Sequence, residues 1–166
     1  YPQPKGTDGI LEVFQYSAKD GSEIDKVSIP VKFGYASSMY VKLYFANSLK
    51  DPSPIDCSKM YEVTRRVGWS KDSAKVAINE LLKGPSKDEE KNGYYSAISP
   101  GVKLNSIIIK YPTATADFND ILQTGVAGSC KVTAIRSQIE KTIKQFGTVN
   151  KVDISIDGKT SGILQP

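Results

Sequence analysis

Two short stretches near the start of the chain are strand-like, and in the second of them apolar and polar residues alternate strictly. Together they predict a β-hairpin. The stretches are Ile10–Phe14 and Val27–Phe33, and turn-forming residues lie between them at Ala18–Ser22. Pro30 cannot donate a ladder hydrogen bond, so we expect its strand at a sheet edge or at a bulge. Residues 1–38 are therefore predicted to form an N-terminal hairpin extension.

The remainder of the chain, residues 39–166, contains five further segments with strand-like patterns. The isoleucine-rich segment Leu104–Tyr111 is predicted to be a well-buried strand that pairs with the next strand through a tight turn at Pro112-Thr113. In the last strand apolar and polar residues alternate, which predicts that one face is solvated. The five predicted strands are Tyr40–Phe45, Met60–Val67, Leu104–Tyr111, Ala114–Phe118 and Val152–Ile156.

Two other segments show the helical period. Ser70 or Asp72 is placed to cap the start of the first helix, and Gly84-Pro85 is placed to end it. The second helix runs from about Lys131 to Phe146, and Gly147 follows where a left-handed cap is expected. The apolar faces are Ala74, Ala77, Ile78, Leu81 and Leu82 in the first helix, and Val132, Ile135, Ile139, Ile143 and Phe146 in the second.

The order of these elements predicts the fold class. It is strand, strand, helix, hairpin, helix, strand. Because each helix has one apolar face, both helices must bury that face against the strands. The sequence therefore predicts an α+β fold in which two main helices pack on one side of a mixed β-sheet.

Composition and charge exclude several classes of partner. The 166 residues are 39% hydrophobic and 24% charged, which is typical of a globular domain. The net charge of +4 comes from lysines interspersed with acidic residues, as at Ser86–Lys91, and not from a basic stripe. We therefore expect no nucleic-acid partner.

The chain gives no sign of a membrane segment or a leader. No stretch is apolar for long enough to span a bilayer, and Tyr1–Pro4 has neither an initiator methionine nor a signal-like apolar core. We expect that any export signal or membrane anchor lies upstream.

The chain contains no histidine, which is the commonest general base and zinc ligand. Asp117, Asp120, Asp153 and Asp157 remain as candidate acids, but positions in turns and on solvated strand faces are their commoner role. The segment Gly125–Ser129 lacks the lysine of a phosphate-binding loop and is interpreted as a connection. The sequence thus predicts no catalytic residue, no cofactor and no metal site.

Cys57 and Cys130 are the only cysteines, and three interpretations are open: two buried thiols, a disulfide or a nucleophile. Two cysteines without histidine cannot form a standard zinc site, and the imidazole route to a reactive thiolate is closed. We favour a disulfide that joins a proline-rich loop to the start of the second helix. Because such a bond persists outside the reducing cytosol, we expect an extracytoplasmic protein.

Tyrosines are abundant, with Tyr94 and Tyr95 adjacent and others grouped earlier in the chain. Tyrosine offers a rigid apolar surface with a polar tip, so it is common at interfaces as well as in cores. The earlier group is Tyr35, Tyr40, Tyr44 and Tyr61. The candidate partner surface is predicted at Tyr61, Arg65, Tyr94 and Tyr95.

An ordered series of motifs resembles the GerMN family of sporulation and spore germination domains. Its opening resembles Val41–Phe45, the arginine-containing Val63–Val67, and Ala77–Pro85 with the ending Leu-Leu-x-Gly-Pro. The resemblance covers about residues 40–160 and continues through Ser96–Leu104, Ala116–Asn119, Ile135–Ile143, Val149–Val152 and Asp157-Gly158.

The resemblance implies an α+β fold similar to the ring-building motifs of secretion and sporulation machines. It also implies export, frequent attachment to bacterial lipoproteins, and no known catalytic residues. The N-terminal hairpin has no counterpart in the family. The lipid-bearing cysteine is not in this chain, so membrane attachment is expected only through an anchor outside it.

Three hypotheses of function follow from the residues and the resemblance together. The first is a non-enzymatic domain, linked to sporulation or germination, that assembles with protein partners or with itself at the bacterial cell envelope. The alternative is a cell-wall module that binds the glycan of peptidoglycan through exposed tyrosines. A hydrolase that uses Asp117 or Asp153 ranks third.

Overall fold

The computed structural model describes residues 8–17, 19–20, 22–32, 38–53 and 55–165. The chain divides into two compact units, Tyr1–Ser37 and Ser38–Pro166. Some residues of the predicted features lie outside the described ranges, namely Tyr1–Pro4, Ala18, Gly21, Phe33, Tyr35 and Pro54.

The first unit contains the predicted hairpin. Strand β1 (Asp8–Tyr16) pairs antiparallel with β2 (Glu23–Lys32), with Ile10 opposite Pro30. In the turn, the Asp20 carboxylate accepts hydrogen bonds from the backbone N–H and the hydroxyl of Ser22, at 3.1 and 2.7 Å. Because the hairpin has only two strands, Pro30 lies in an edge strand, as predicted.

The second unit contains two three-stranded sheets, which we call the first sheet and the second sheet. The first sheet has the order β4-β3-β5, all antiparallel, and the second has the order β6-β7-β8, in which β7 and β8 are parallel. The α+β class is therefore confirmed, with the strands divided between two sheets. The elements are β3 (Ser38–Asn47), β4 (Tyr61–Gly68), α1 (Ser73–Leu82), α2 (Lys87–Lys91), β5 (Tyr94–Tyr95), β6 (Leu104–Lys110), β7 (Thr113–Phe118), a 3₁₀ turn (Asp120–Leu122), α3 (Ser129–Lys144) and β8 (Lys151–Ile156).

One hydrophobic core joins both sheets to the apolar faces of α1 and α3. In the middle of β3, at Val41–Phe45, and throughout β7 every second residue is buried, as expected for strands with one face toward a helix layer. The predicted apolar faces of both helices supply the rest. Fully buried members include Val41, Leu43 and Phe45 from β3, Ile78 and Leu81 from α1, Ala114, Ala116 and Phe118 from β7, and Ile135, Ile139 and Ile143 from α3.

The prediction that the isoleucine-rich segment is well buried is wrong, because β6 is partly exposed. The hairpin of β6 and β7 exists as predicted, but β6 is the edge strand of the second sheet. Ile108 is 55% exposed on the outer face, and Ile109 is 40% exposed although it shares the inner face with Ala114. A run of β-branched residues predicts a strand, but it does not show how completely neighbours cover that strand.

The ends of the helices also differ from the predictions. At α1, Asp72 occupies the cap position without a side-chain cap bond, and the Ser70 hydroxyl accepts a hydrogen bond from the Asp72 N–H. Helix α3 begins at Ser129, after Gly128 with φ of 87°, which is two residues before the predicted start. Gly147 is not in the left-handed conformation, so that prediction is wrong.

Two glutamines, one in α3 and one at its C-cap, bind the backbone of β3 along the edge that faces away from β4. The Gln145 amide accepts from the Lys42 N–H at 2.8 Å and donates to the Lys42 carbonyl at 2.7 Å. Seven residues earlier, Gln138 donates to the Tyr44 carbonyl at 3.2 Å and accepts from the Ala97 N–H. Residues two apart in a strand present their backbone groups to the same edge, so the two side chains continue the line on which Ala46 pairs with Tyr95 of β5. Glutamine side chains thus replace a neighbouring strand.

We predict that Gln138→Met lowers the free energy of unfolding by about 2–4 kcal/mol, because it leaves buried backbone groups of Ala97 and Tyr44 without a partner while nearly preserving side-chain volume. Urea denaturation followed by circular dichroism measures the change. Gln123→Met, at an exposed position, is the matched control and should unfold like the wild type. A Gln138→Met protein as stable as the control would contradict this role.

Candidate functional site

Cys57 and Cys130 form a disulfide, with an S–S distance of 1.97 Å and a Cα–Cα distance of 5.2 Å. The bond joins the loop between β3 and β4 to the first turn of α3, as predicted, and it spans 73 residues of sequence. Because both sulfurs are bonded, neither is a thiolate nucleophile. In the chain-entropy model, closing a loop of this length stabilises the folded state by about 4 kcal/mol.

Tyr61 and Tyr94, two of the predicted surface tyrosines, lie on either side of Lys50. The Lys50 ammonium lies 5.3 Å from the ring centroid of Tyr61 and 5.2 Å from that of Tyr94. It also donates to the Tyr94 hydroxyl at 3.0 Å, while the Tyr61 hydroxyl donates to the Lys50 carbonyl at 3.4 Å. A cation is attracted to the negative face of an aromatic ring. The chain's own lysine therefore occupies the space between these two rings.

Arg65 points inward from β4 toward the junction of α1 and α2. Its Nε donates to the Glu89 carboxylate at 3.1 Å, one terminal nitrogen donates to the Gly84 carbonyl at 2.8 Å, and the guanidinium lies 5.8 Å from the Phe45 ring centroid. Glu89 also closes the capping box of α2, since it accepts from the Ser86 N–H at 2.7 Å. Arg65 thus fixes the end of α1 and the start of α2.

The contacts of Glu89 determine its ionisation. Partial burial on its own raises the pKa of Glu89, but hydrogen bonds from Arg65 and Ser86 outweigh it and hold the pKa below the ordinary value of 4.5. The carboxylate is therefore stabilised in its charged form by the folded structure.

Tyr95 is the predicted surface residue that stays exposed, at 45%. It pairs with Ala46 in the short strand β5 and borders a groove of about 410 Å³. The groove carries two charged side chains, Lys83 and Glu90, beside the apolar ring of Pro85. This combination of an aromatic ring with polar side chains is the arrangement expected of a small-ligand or glycan site.

A second groove, which we call the β6 groove, lies between the first turn of α1 and β6. Its volume is about 430 Å³, and its lining includes Ile107 and Ile109 from β6, Lys71 from the segment before α1, and Ala74 and Lys75 from α1. The sequence pattern did not indicate this groove, because a run of isoleucines is typical of a buried strand. The signal that could have found it is the pair of lysines flanking β6, Lys103 and Lys110, which favours a strand at a sheet edge.

The candidate acids take part in local structural contacts. Asp117 accepts from the Ser155 hydroxyl at 2.7 Å, the Gly158 N–H at 2.8 Å and the Asn105 amide at 2.9 Å. Burial alone would raise the pKa of Asp117, but these hydrogen bonds hold it below the ordinary value of 3.8. Asp117 thereby supports the turn at Asp157-Gly158, and Asp153 pairs with Lys151 at 2.9 Å. Within the described ranges, no three acidic or cysteine side chains are arranged to hold a metal ion.

Comparison with known proteins gives a family and a fold. The model of the family Germane, described as sporulation and spore germination, matches residues 42–162. The structure is similar to the first GerMN domain of the sporulation protein GerM from Bacillus subtilis, with 24% identity and a TM-score of 0.53, over 74% of this chain and 85% of that one. It is also similar to the tandem GerMN domains of the same protein, with 21% identity and a TM-score of 0.54, over 75% of this chain and 41% of that one. No curated protein matches by sequence.

None of the helices in the described part of the chain is long and apolar enough to cross a membrane.

We predict that acid weakens the protein partly through Glu89. Because the folded pKa of Glu89 is depressed, its contribution to the free energy of unfolding is complete above the ordinary value of 4.5 and is lost as the pH falls through the folded value. The stability difference between wild type and Glu89→Gln, measured by urea denaturation, should therefore be constant from neutral pH to about pH 5.5 and shrink below 4.5.

Glu90→Gln is the matched control, because Glu90 is an exposed neighbour on the same helix. Its stability difference from the wild type should stay small at every pH. If the difference for Glu89→Gln grew on acidification, the sign of the Glu89 pKa shift would be wrong.

Proposed function

Because this chain belongs to the Germane family of sporulation and spore germination domains, we propose that it is a non-enzymatic interaction domain of the bacterial cell envelope. It assembles there with protein partners or with copies of itself. Its place is extracytoplasmic, and its contribution to sporulation or germination is to hold other envelope components together.

The disulfide is the observation that carries this proposal. Cys57 and Cys130 close a bond across 73 residues, and such bonds persist in oxidising compartments. The similar solved domains belong to a sporulation protein of Bacillus subtilis. Compartment and family together favour a role at the envelope.

The residues that sequence patterns offered for chemistry support an architectural role. Asp117 holds a turn, Asp153 pairs with a lysine on its own strand, and both cysteines are bonded to each other. Each of these groups is engaged by its own chain. Tyr95 and the outer residues of β6 instead point to solvent, which suits contact with a partner.

We predict that the chain is oxidised and extracytoplasmic in the bacterium that makes it. A maleimide reagent should modify Cys57 and Cys130 only after a reductant is added, and protease should reach the chain once the cell wall is removed. Photo-crosslinkers placed at Tyr95 and Ile108 should then form bonds with envelope proteins or with a second copy of the chain. A reduced, protease-protected chain would overturn the proposal.

The alternative function is binding of peptidoglycan glycan, and the groove beside Tyr95 favours it. An exposed ring can stack on the apolar face of a sugar, and Lys83 and Glu90 offer charged hydrogen-bonding groups to its hydroxyls. Tyr94 is the weaker candidate, because Lys50 already covers its ring.

If the alternative holds, the protein should be retained on purified peptidoglycan, and Tyr95→Ala should reduce retention by about tenfold through loss of one stacked ring. Tyr40→Ala is the matched control, because Tyr40 is 71% exposed on the outer face of the first sheet. Retention by neither the wild type nor the control, or equal retention by all three, would reject the glycan site.

A further inference from the structure

We propose that the β6 groove binds an extended, apolar peptide segment with acidic flanks from a protein partner, and that this segment adds a strand to the edge of β6. The inference rests on the proposed function, because it gives the chemistry of the partner that an interaction domain would hold.

The first argument is the open backbone edge of β6. Strand β6 pairs with β7 on one side, and in the unit Ser38–Pro166 the backbone of Ser106–Lys110 makes no hydrogen bond beyond that pairing. An edge strand presents N–H and C=O groups that another extended chain can pair with. Strand β3 differs, because Gln138, Gln145 and β5 close its second edge.

The second argument is the exposed apolar surface along the same edge. Ile108 and Tyr111 are 55% and 76% exposed, and Ile109 remains 40% exposed on the inner face. Ile109 forms the floor of the groove together with Ile107, beside Ala74 of α1. A volume of about 430 Å³ can accept two or three side chains of an extended peptide. Alternate residues of an added strand would point into the groove.

The third argument is the charge around the groove. Lys71 and Lys75 stand on the helix side, and Lys103 and Lys110 flank the two ends of β6. None of these four lysines has an ion-pair partner among the described residues. Asp72 is the acidic residue in the lining, whereas Lys71 and Lys75 are both basic, so the lining carries a net positive charge. Acidic flanks on the peptide therefore fit better than basic ones.

The same charges argue against a second copy of this chain as the occupant. If two copies paired antiparallel through β6, they would bring Lys103 and Lys110 of one copy to the ends of the same ribbon as those of the other. Like charges at the ends of a paired strand disfavour that association. An acid-flanked strand meets no such repulsion.

The test uses two fluorescent heptapeptides and the full chain. One peptide has valine at alternate positions, threonine between them and glutamate at both ends, and the other has lysine at both ends. By fluorescence anisotropy, the acidic peptide should bind saturably and the basic peptide about tenfold more weakly or not at all. Amide hydrogen exchange should slow at the alternate residues of Ser106–Lys110 whose N–H groups face away from β7 when the acidic peptide binds, because added-strand hydrogen bonds protect those amides.

Matched variants separate the groove from other apolar or basic surface. Ile109→Thr keeps a β-branched side chain and should weaken the acidic peptide about tenfold, through loss of apolar contact. Ile55→Thr changes an isoleucine that is 98% exposed in the loop before Cys57 and should bind like the wild type. The double variant Lys71→Ala/Lys75→Ala should weaken binding and its salt dependence, whereas Lys87→Ala/Lys159→Ala should not.

Three outcomes would overturn the proposal. They are no saturable binding of the acidic peptide, equal binding of both peptides, or binding that Ile109→Thr leaves unchanged. A concentration-dependent dimer in sedimentation that Ile109→Thr dissociates would assign the groove to a second copy instead. If envelope crosslinks form from Tyr95 while no peptide binds, the groove assignment fails and the proposed function stands. If the chain is reduced and cytosolic, the proposed function is wrong, whether or not the acidic peptide binds.

Discussion

The requirement that the backbone of β3 find partners on both edges organises the second unit. Strand β4 supplies one edge, and the other is divided between the two-residue strand β5 and the side chains of Gln138 and Gln145. Because Gln138 lies within α3 and Gln145 lies at its C-cap, their bonds to the backbone of β3 fix the register and the orientation of α3 beside β3. Its apolar face, with Ile135, Ile139 and Ile143, then packs into the common core. The disulfide at Cys130 adds a covalent tie near the start of the same helix.

The two sheets differ in how their strand edges are covered. The first sheet is closed where α3 meets β3, and its inward arginine, Arg65, binds the α1–α2 junction. The second sheet leaves β6 open within this unit, with isoleucines exposed beside unpaired lysines. An apolar strand edge left uncovered is a hazard for a soluble domain unless a partner uses it. In the proposed function β6 therefore contacts the partner, whereas the closed edge of β3 contributes to the stability of the fold.

Much of the fold could be predicted from the sequence, because the core obeys simple periods. The alternation in Val41, Leu43 and Phe45 and the helical faces of α1 and α3 were sufficient to give the α+β class. The disulfide could be predicted from the two cysteines, because a standard zinc site or a thiolate activated by imidazole would need histidine, which this chain does not contain. The family motifs could be recognised because they occur in one order along the chain.

Apart from α2, the features that were not predicted depend on contacts between distant segments. The capping-box pattern Ser86-x-x-Glu89 is visible in the sequence, but the segment was interpreted only as a charged surface, so α2 was missed. The roles of Gln138 and Arg65 depend on which backbone groups lie opposite them, and local patterns do not contain that information. For the same reason, tyrosines predicted as one surface are divided, with Tyr61 and Tyr94 facing Lys50 and Tyr95 facing solvent.

The position of the disulfide has a consequence for how the chain responds to proteolysis. The covalent ring closed by Cys57 and Cys130 contains β4, α1, α2, β5, β6 and β7. A single cut in any exposed loop inside that ring, such as the one between β5 and β6, would open the ring without releasing a fragment. The two fragments would remain joined by the disulfide between Cys57 and Cys130 and packed together in the shared core. A molecule cut once in this region can therefore remain in one piece. The two fragments would separate only after the disulfide is reduced.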